Sequence, residues 1–298
     1  MKHRTLCKLF ALIASLVLVC GICLTASAAG SEKSAFEVDG TTLMKYHGPG
    51  GEVTVPDGIE VLGEWAFEET KVTKLNLPET LKEIESYCFH SCRTLTEITL
   101  PASLKTISEA QAFAYNPNLQ AINVAEGNPY FTSVDGVLFT KDKMKLLFYP
   151  SGKDRGGEYA IPEGTRYLGY TSFSDAGVTA IELPSTLSDL GYTTDFTSCT
   201  DLKEIRVAEN NPSFKSIDGM LFDKRGKLIC YPAGREQETL TAKDFPAEMK
   251  EIGPWAFQNV CRLKNVTIPD GITTINWMCF TFSPSLESVT LPESVNYI

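Results

Sequence analysis

The chain has 298 residues, 43% of them hydrophobic and 10% aromatic, which is enough apolar material for a continuous core and too much for a disordered chain. Its 27 basic and 37 acidic residues give a formal charge of −10. Such a balance lacks the basic stripe that phosphate backbones require, so nucleic acid is not an expected partner, and anionic membranes are disfavoured for the same reason.

In chain order, the first element is a segment unlike the rest. Lys2, Arg4 and Lys8 precede an apolar run from Leu9 to Leu24, and Ala26-Ser27-Ala28 is an A-x-A cleavage site. This reads as a secretory signal peptide over residues 1–28, cleaved after Ala28. Cys20 and Cys23 follow Val19 and Ile22, where a lipoprotein signal would place a small residue. No later apolar stretch is long enough to span a bilayer. The expected location is therefore secreted or cell-surface, and the mature chain carries 24 basic and 37 acidic residues, −13.

From residue 51 onward one pattern returns. Proline stands at 56, 78, 101, 162, 184, 246, 269 and 292, mostly 22 or 23 residues apart. Before it runs a short alternating stretch such as Leu95-Thr-Glu-Ile98-Thr-Leu100. Six residues after it stands Leu62, Ile84, Ile107, Leu168, Leu190, Ile252, Ile275 or Ile298, and then Phe67, Phe89, Phe113, Phe173, Phe196, Phe257 or Phe280. The consensus is LxxIxLPxxLxxIGxxAFxxC. A fixed period of this length is the signature of a solenoid, in which a single coil cannot bury its apolar face alone. The alternating stretch is a short strand with one face inward, and proline, which has no N–H to donate, suits its end. Gly63, Gly169, Gly191 and Gly253 read as permissive bends. Ala-Phe reads as a short helical or 3₁₀ turn on the far side.

Two proline intervals are long, 61 and 62 residues, and each contains a further coil and an insertion. Asn128-Pro129-Tyr130-Phe131 leads to Asp135-Gly136 and to Phe148-Tyr149-Pro150. Asn211-Pro212-Ser213-Phe214 leads to Asp218-Gly219 and to Cys230-Tyr231-Pro232, 83 residues on at the matching Asp. Asp-Gly before an apolar run marks a β-hairpin budding from the coil. Asp39-Gly40, Leu43 and Tyr46 look like part of the same hairpin used as a cap. The expected organisation is an N-terminal cap over 29–50 and a solenoid over 51–298, with hairpin insertions at about 126–158 and 209–240 and an incomplete last repeat.

Six cysteines lie beyond the signal: Cys88, Cys92, Cys199, Cys230, Cys261 and Cys279. Cys88 and Cys279 take the alanine slot before phenylalanine; Cys92, Cys199 and Cys261 follow it by three or four residues at the coil's corner. They read as buried free thiols rather than a disulfide framework, and no spacing suits zinc. His90 lies between Cys88 and Cys92, but a core-facing thiol and a histidine two positions away point to different sides. HExxH, GxSxG, phosphate-loop and Ca²⁺-loop motifs are absent, and no carboxylate pair is singled out. Leu77-Pro78-Glu79-Thr80 and Leu183-Pro184-Ser185-Thr186 imitate a sortase signal but are strand ends of the repeat.

The register resembles that of the BspA-like leucine-rich repeat proteins of bacterial surfaces, over about residues 36–298. The fold this implies is a repeat solenoid: a right-handed leucine-rich-repeat coil with a parallel β-sheet on one face, short helical or 3₁₀ turns on the other and two β-hairpin insertions. The resemblance also implies export or surface display and, as in some members, binding of host matrix or other cells. The family shares no catalytic residues, so no enzyme activity, cofactor or metal is expected. The expected partner is an extracellular protein or glycan. An alternative role is the recognition part of a larger exocellular enzyme. Two surfaces are candidates for contact. One is the outward column of the strands: Thr54, Asn76, Thr99, Asn123, Glu182, Arg206, Thr267 and Thr290. The other is the hairpin aromatics: Tyr130, Phe131, Tyr149, Phe214 and Tyr231, residue types that anchor interfaces or else pack a satellite core.

Overall fold

The computed structural model describes residues 34–191, 196 and 198–297; the expected signal peptide lies outside them. From Phe36 onward the chain is one compact unit. It is a β-solenoid with two parallel ladders running along it. The first is built from the alternating stretches. Gly51–Thr54 pairs with Val72–Asn76, and Glu97–Leu100 with Ala121–Val124. Glu158–Ala160, Ala180–Leu183 and Glu204–Val207 form one sheet, and Thr239–Leu240, Asn265–Thr267 and Ser288–Thr290 another. The second ladder comes from the residues after proline: Thr42–Tyr46, Val61–Leu62, Glu83–Ile84 and Thr106–Ile107 pair in order.

The core lies between the ladders. Val53, Leu75, Ile98, Ile122, Ile181, Ile205 and Val266 point in from the first, Leu62, Ile84, Leu168 and Ile252 from the second. Between them stands a column of rings, Tyr46, Phe67, Phe89 and Phe113, with centroids 5.4, 5.5 and 5.2 Å apart. Thr165, where the pattern has an apolar residue, is inward too and buried.

The far side is not helical. Among the described residues the one 3₁₀ segment is Ala242–Asp244, away from every Ala-Phe. Each Ala-Phe is instead flanked by two residues in the left-handed region. Two positions before the ring these are Trp65, Tyr87, Gln111, Thr171, Trp255 and Met278; two positions after it, Glu69, Ser91, Tyr115, Asp175, Ser198, Asn259 and Phe282. The reason is hydrogen bonding between coils. In this alternating backbone the N–H groups of Trp65, Phe67 and Glu69 donate to the carbonyls of Ser86, Cys88 and His90. A helical turn would direct those groups along its own axis and leave the neighbour unpaired.

The consensus glycines also have a different reason. Gly63, Gly169 and Gly253 are not left-handed. A Cβ there would approach the carbonyl oxygens of Leu43, Leu147 and Leu228 at 3.1, 2.9 and 2.8 Å. They permit close approach of neighbouring coils rather than a bend; only Gly191 combines such an approach with a positive φ, of 69°.

The insertions are woven into the solenoid rather than budding from it. Phe131–Val134 and Val137–Thr140 form the hairpin, but the third strand, Lys145–Phe148, runs parallel to Tyr167–Leu168 and so belongs to the second ladder. Tyr149 then occupies the ring slot, stacked on Phe173 at 5.1 Å. The second insertion repeats this with Phe214–Ile217, Met220–Asp223 and Lys227–Cys230, and Tyr231 stacks on Phe257 at 5.2 Å. At each tip an Asp-Gly pair is left-handed at both residues, as a type I′ turn requires. The tip glycine carbonyls accept the N–H of Ile122 and Ile205, tying each hairpin back to its coil.

One buried amide holds each insertion. Asn128 Nδ2 donates to the carbonyls of Pro101 and Leu104 at 3.0 Å, and its Oδ1 accepts the N–H of Tyr130 and Phe131 at 2.8 Å. Asn211 makes the same four bonds, to Pro184, Leu187, Ser213 and Phe214.

Candidate ligand surface

The outward residues of the first ladder do form columns. Thr54 lies beside Asn76, Thr99 beside Asn123, Glu182 beside Arg206 and Thr267 beside Thr290. These four pairs are separate pieces, because the hairpin tips interrupt the ladder after Ala121–Val124 and Glu204–Val207. A third interruption has no hairpin. Val72–Asn76 and Glu97–Leu100 belong to different sheets, and a cleft of about 230 Å³ opens between them, lined by Lys74, Asn76, Glu97 and Thr99 among others.

The electrostatics differ along the column. In the first piece Asn76 Nδ2 donates to Thr54 Oγ1 and Glu52 Oε1, both at 3.2 Å, and Lys74 pairs with Glu52 at 2.9 Å. The Lys74 hydrogen bond holds the Glu52 carboxyl below its usual range. In the third piece Arg206 pairs with Glu158 and Glu204, while Glu182 adds a third carboxylate. The hydrogen bond to Glu158 raises the guanidinium further. One cation among three carboxylates leaves this stretch negative. Hydroxyls, amides and ion-paired carboxylates give this ladder a surface of hydrogen-bond donors and acceptors.

The hairpin aromatics do not form the expected contact surface. Phe131, Tyr149, Phe214 and Tyr231 are buried, and only Tyr130 of the five is exposed, at 48%. Phe148 is buried with them. Their rings complete the core where the regular Ala-Phe turn is missing.

The cysteines divide by register. Cys92 and Cys199, three residues after the ring, are buried and donate to the carbonyls of Phe67 and Phe173 at 2.9 Å. Asn116 and Ser283 take the same slot and bond the carbonyls of Phe89 and Phe257. The consensus cysteine is thus a small donor that satisfies a carbonyl of the preceding coil. Cys261 stands one residue later, after Val260, and is exposed, contrary to the expectation that it is buried. Cys88 is fully buried, which pushes its thiol up; Cys279 is buried and Cys230, contrary to expectation, only half-buried, and desolvation pushes both thiols to about 12. His90 sits in a surface aromatic cluster with Trp65, Tyr87 and Tyr115, its basicity lowered by burial. Cys88 packs into the core instead.

Residues 49–160, 157–231 and 234–298 match the family model described as the BspA type leucine rich repeat region, in six copies. Among solved structures, the chain resembles a leucine-rich repeat protein from Eubacterium ventriosum (21% identity, TM-score 0.51), covering 82% of this chain and 73% of that one. It also resembles the pneumococcal vaccine antigen PcpA, at 25% identity and a TM-score of 0.51, covering 83% of this chain and 62% of that one. The chain thus spans less than two thirds of PcpA. No curated protein matches significantly.

Proposed function

The chain belongs to the BspA-type leucine-rich repeat family, and from that premise we propose that it is an exported or cell-surface module that binds extracellular protein or glycan ligands without catalysing their conversion. The observation that carries this reading is the hydroxyl and amide column Thr54, Asn76, Thr99 and Asn123, its threonines exposed and its asparagines half-buried, opened midway by the cleft between Val72–Asn76 and Glu97–Leu100. An extended ladder of this kind offers many weak, alignable contacts to an extended ligand. Similarity to a vaccine antigen supports display outside the cell. The exported part begins at Ala29 in this reading, which N-terminal sequencing of secreted material checks. Binding is tested by presenting the protein to arrays of matrix proteins and glycans, alongside an Asn76→Lys, Thr99→Lys double variant. A ligand retained by the parent protein and lost by the variant supports the strand face; equal retention by both removes it.

A further inference from the structure

In the two tyrosine-proline coils the residue two positions after the ring, Ser151 or Ala233, is buried and not left-handed, unlike its counterparts in the regular coils. Each coil therefore leaves a notch on the turn side, away from the strand face. The left-handed residue of the next coil reaches across it. In the second notch, Asn259 does so with a neutral amide, its Nδ2 donating to Ser198 Oγ at 3.4 Å. In the first, Asp175 does so with a carboxylate that accepts the backbone N–H of Tyr115. Its Oδ2 is buried and has no hydrogen-bond partner. A cleft of about 210 Å³ opens beside it, lined among others by Arg93, Tyr115, Arg155 and Asp201.

The fold does not require these charges. Arg93 stands four residues after its ring, and the equivalent residue of the second notch is Gly177. Arg155, six after Tyr149, corresponds to Gln237, six after Tyr231. Asp175 corresponds to Asn259, and Asp201 to Ser285. Four charged positions in one notch are four neutral ones in its duplicate. Gly177 also makes room, since a Cβ there would lie 3.0 to 3.2 Å from three Arg155 side-chain atoms.

Charge accounting defines the occupant. Arg155 is engaged with Asp201 at 3.4 Å. Arg93 has no ion pair among the described residues, and Asp175 Oδ2 has no donor. A ligand that completes the cleft brings a carboxylate to Arg93 and a hydroxyl donor to Asp175, on a ring that lies against Tyr115. The volume equals that of about seven waters, the scale of one sugar ring. We propose that the first notch is a binding site for an acidic sugar unit, a hexuronate, with Arg93 pairing its carboxylate and Asp175 accepting from a ring hydroxyl. The site is independent of the strand face and of the reading given for it.

Titration of the full chain with glucuronate, glucose and glycine, followed by ligand-observed NMR or calorimetry at pH 7, tests this. Glucuronate is expected to bind about tenfold tighter than glucose, and Arg93→Gln to weaken it about tenfold, the scale of one charge-assisted pair. Arg93 is exposed, so that variant keeps the fold. Asp175→Asn copies the amide of the second notch and is expected to weaken glucuronate several-fold with an unchanged circular dichroism spectrum. The proposal fails if no probe binds, if glucose binds as tightly as glucuronate, or if Arg93→Gln leaves the affinity unchanged. Tighter binding of glycine also overturns it, because the cleft would then select a zwitterion.

Discussion

The first insertion-bearing unit and its duplicate share a backbone plan and differ in what they attach to it. Both hang a hairpin on one buried asparagine, fold an Asp-Gly tip back onto the coil and fill the ring slot with tyrosine. Both tips are clamped by a cation four residues after that tyrosine, Lys153 on Asp135 and Arg235 on Asp218. They part on the turn side, where the first notch is lined by charge and the second by amide and hydroxyl. Features present in both units are those the fold needs; features in one unit are open to other uses.

The largest expected effects are shared ones. Asn128→Ala and Asn211→Ala each strand two carbonyls and two N–H groups in the core, and each is expected to cost about 3 kcal/mol in denaturant unfolding. A difference above about 1 kcal/mol between them would show that the two insertions are not energetically equivalent. Next comes the notch. Burial raises the Asp175 carboxyl from 3.8 to about 7, against the pull of Arg155 and Arg93. The native state therefore keeps a proton that the unfolded chain releases above about pH 4, so stability falls as pH rises from about 4 to 7. Asp175→Asn should be roughly 2 kcal/mol more stable than the parent at pH 8, with the gap closing near pH 4. Asn259→Asp should import the same pH dependence into the second unit. Parallel pH profiles for parent and Asp175→Asn would break the contrast.

A smaller contrast lies in the ring slot. Tyr149 donates to Lys153 O at 3.3 Å and Asp154 Oδ2 at 3.1 Å, whereas the buried Tyr231 hydroxyl has no such acceptor and meets only the Arg235 guanidinium, which lies over its ring at 5.2 Å. Tyr149→Phe is expected to cost about 1 kcal/mol and Tyr231→Phe nothing or a slight gain, read from thermal melts. The tip ion pairs come last. Asp135→Asn and Asp218→Asn keep a residue that tolerates the left-handed turn, and each should change stability by about 0.5 kcal/mol or less, vanishing in high salt.

The strand positions and the ring column were legible because burial imposes a periodicity that hydrophobicity records. The left-handed turns were not, since Trp65 and Glu69 share a backbone conformation but no side-chain property. Asn128 and Asn211 read as surface residues in a one-dimensional pattern, and only the carbonyls they meet in space explain them. The hairpin aromatics misled for a related reason. Tyr149 and Tyr231 interrupt the Ala-Phe motif and so look like additions, when they are the missing rings themselves. Tyr46, at the end of a strand of the second ladder, was the available precedent for that reading. Cys261 differs from Cys199 by one register position, and on a tight corner one position separates core from solvent. The strand-face column was readable residue by residue; its division into pieces was not, because hairpin docking and the splaying of Val72–Asn76 from Glu97–Leu100 leave no mark in the alternation.

The paired left-handed residues bear on how such a molecule comes into being. A lone coil would hold two L-residues in a conformation costing about 1–2 kcal/mol each, with no neighbour to accept its turn-side N–H groups. Addition of the next coil supplies those acceptors and a ring to stack on. Structure should therefore spread from an established nucleus by zippering, one coil templating the next, rather than appear independently at many points. A coil exposed at the growing front is the least stable part of the solenoid, and hydrogen exchange there should be faster than in the ring column between Tyr46 and Phe113.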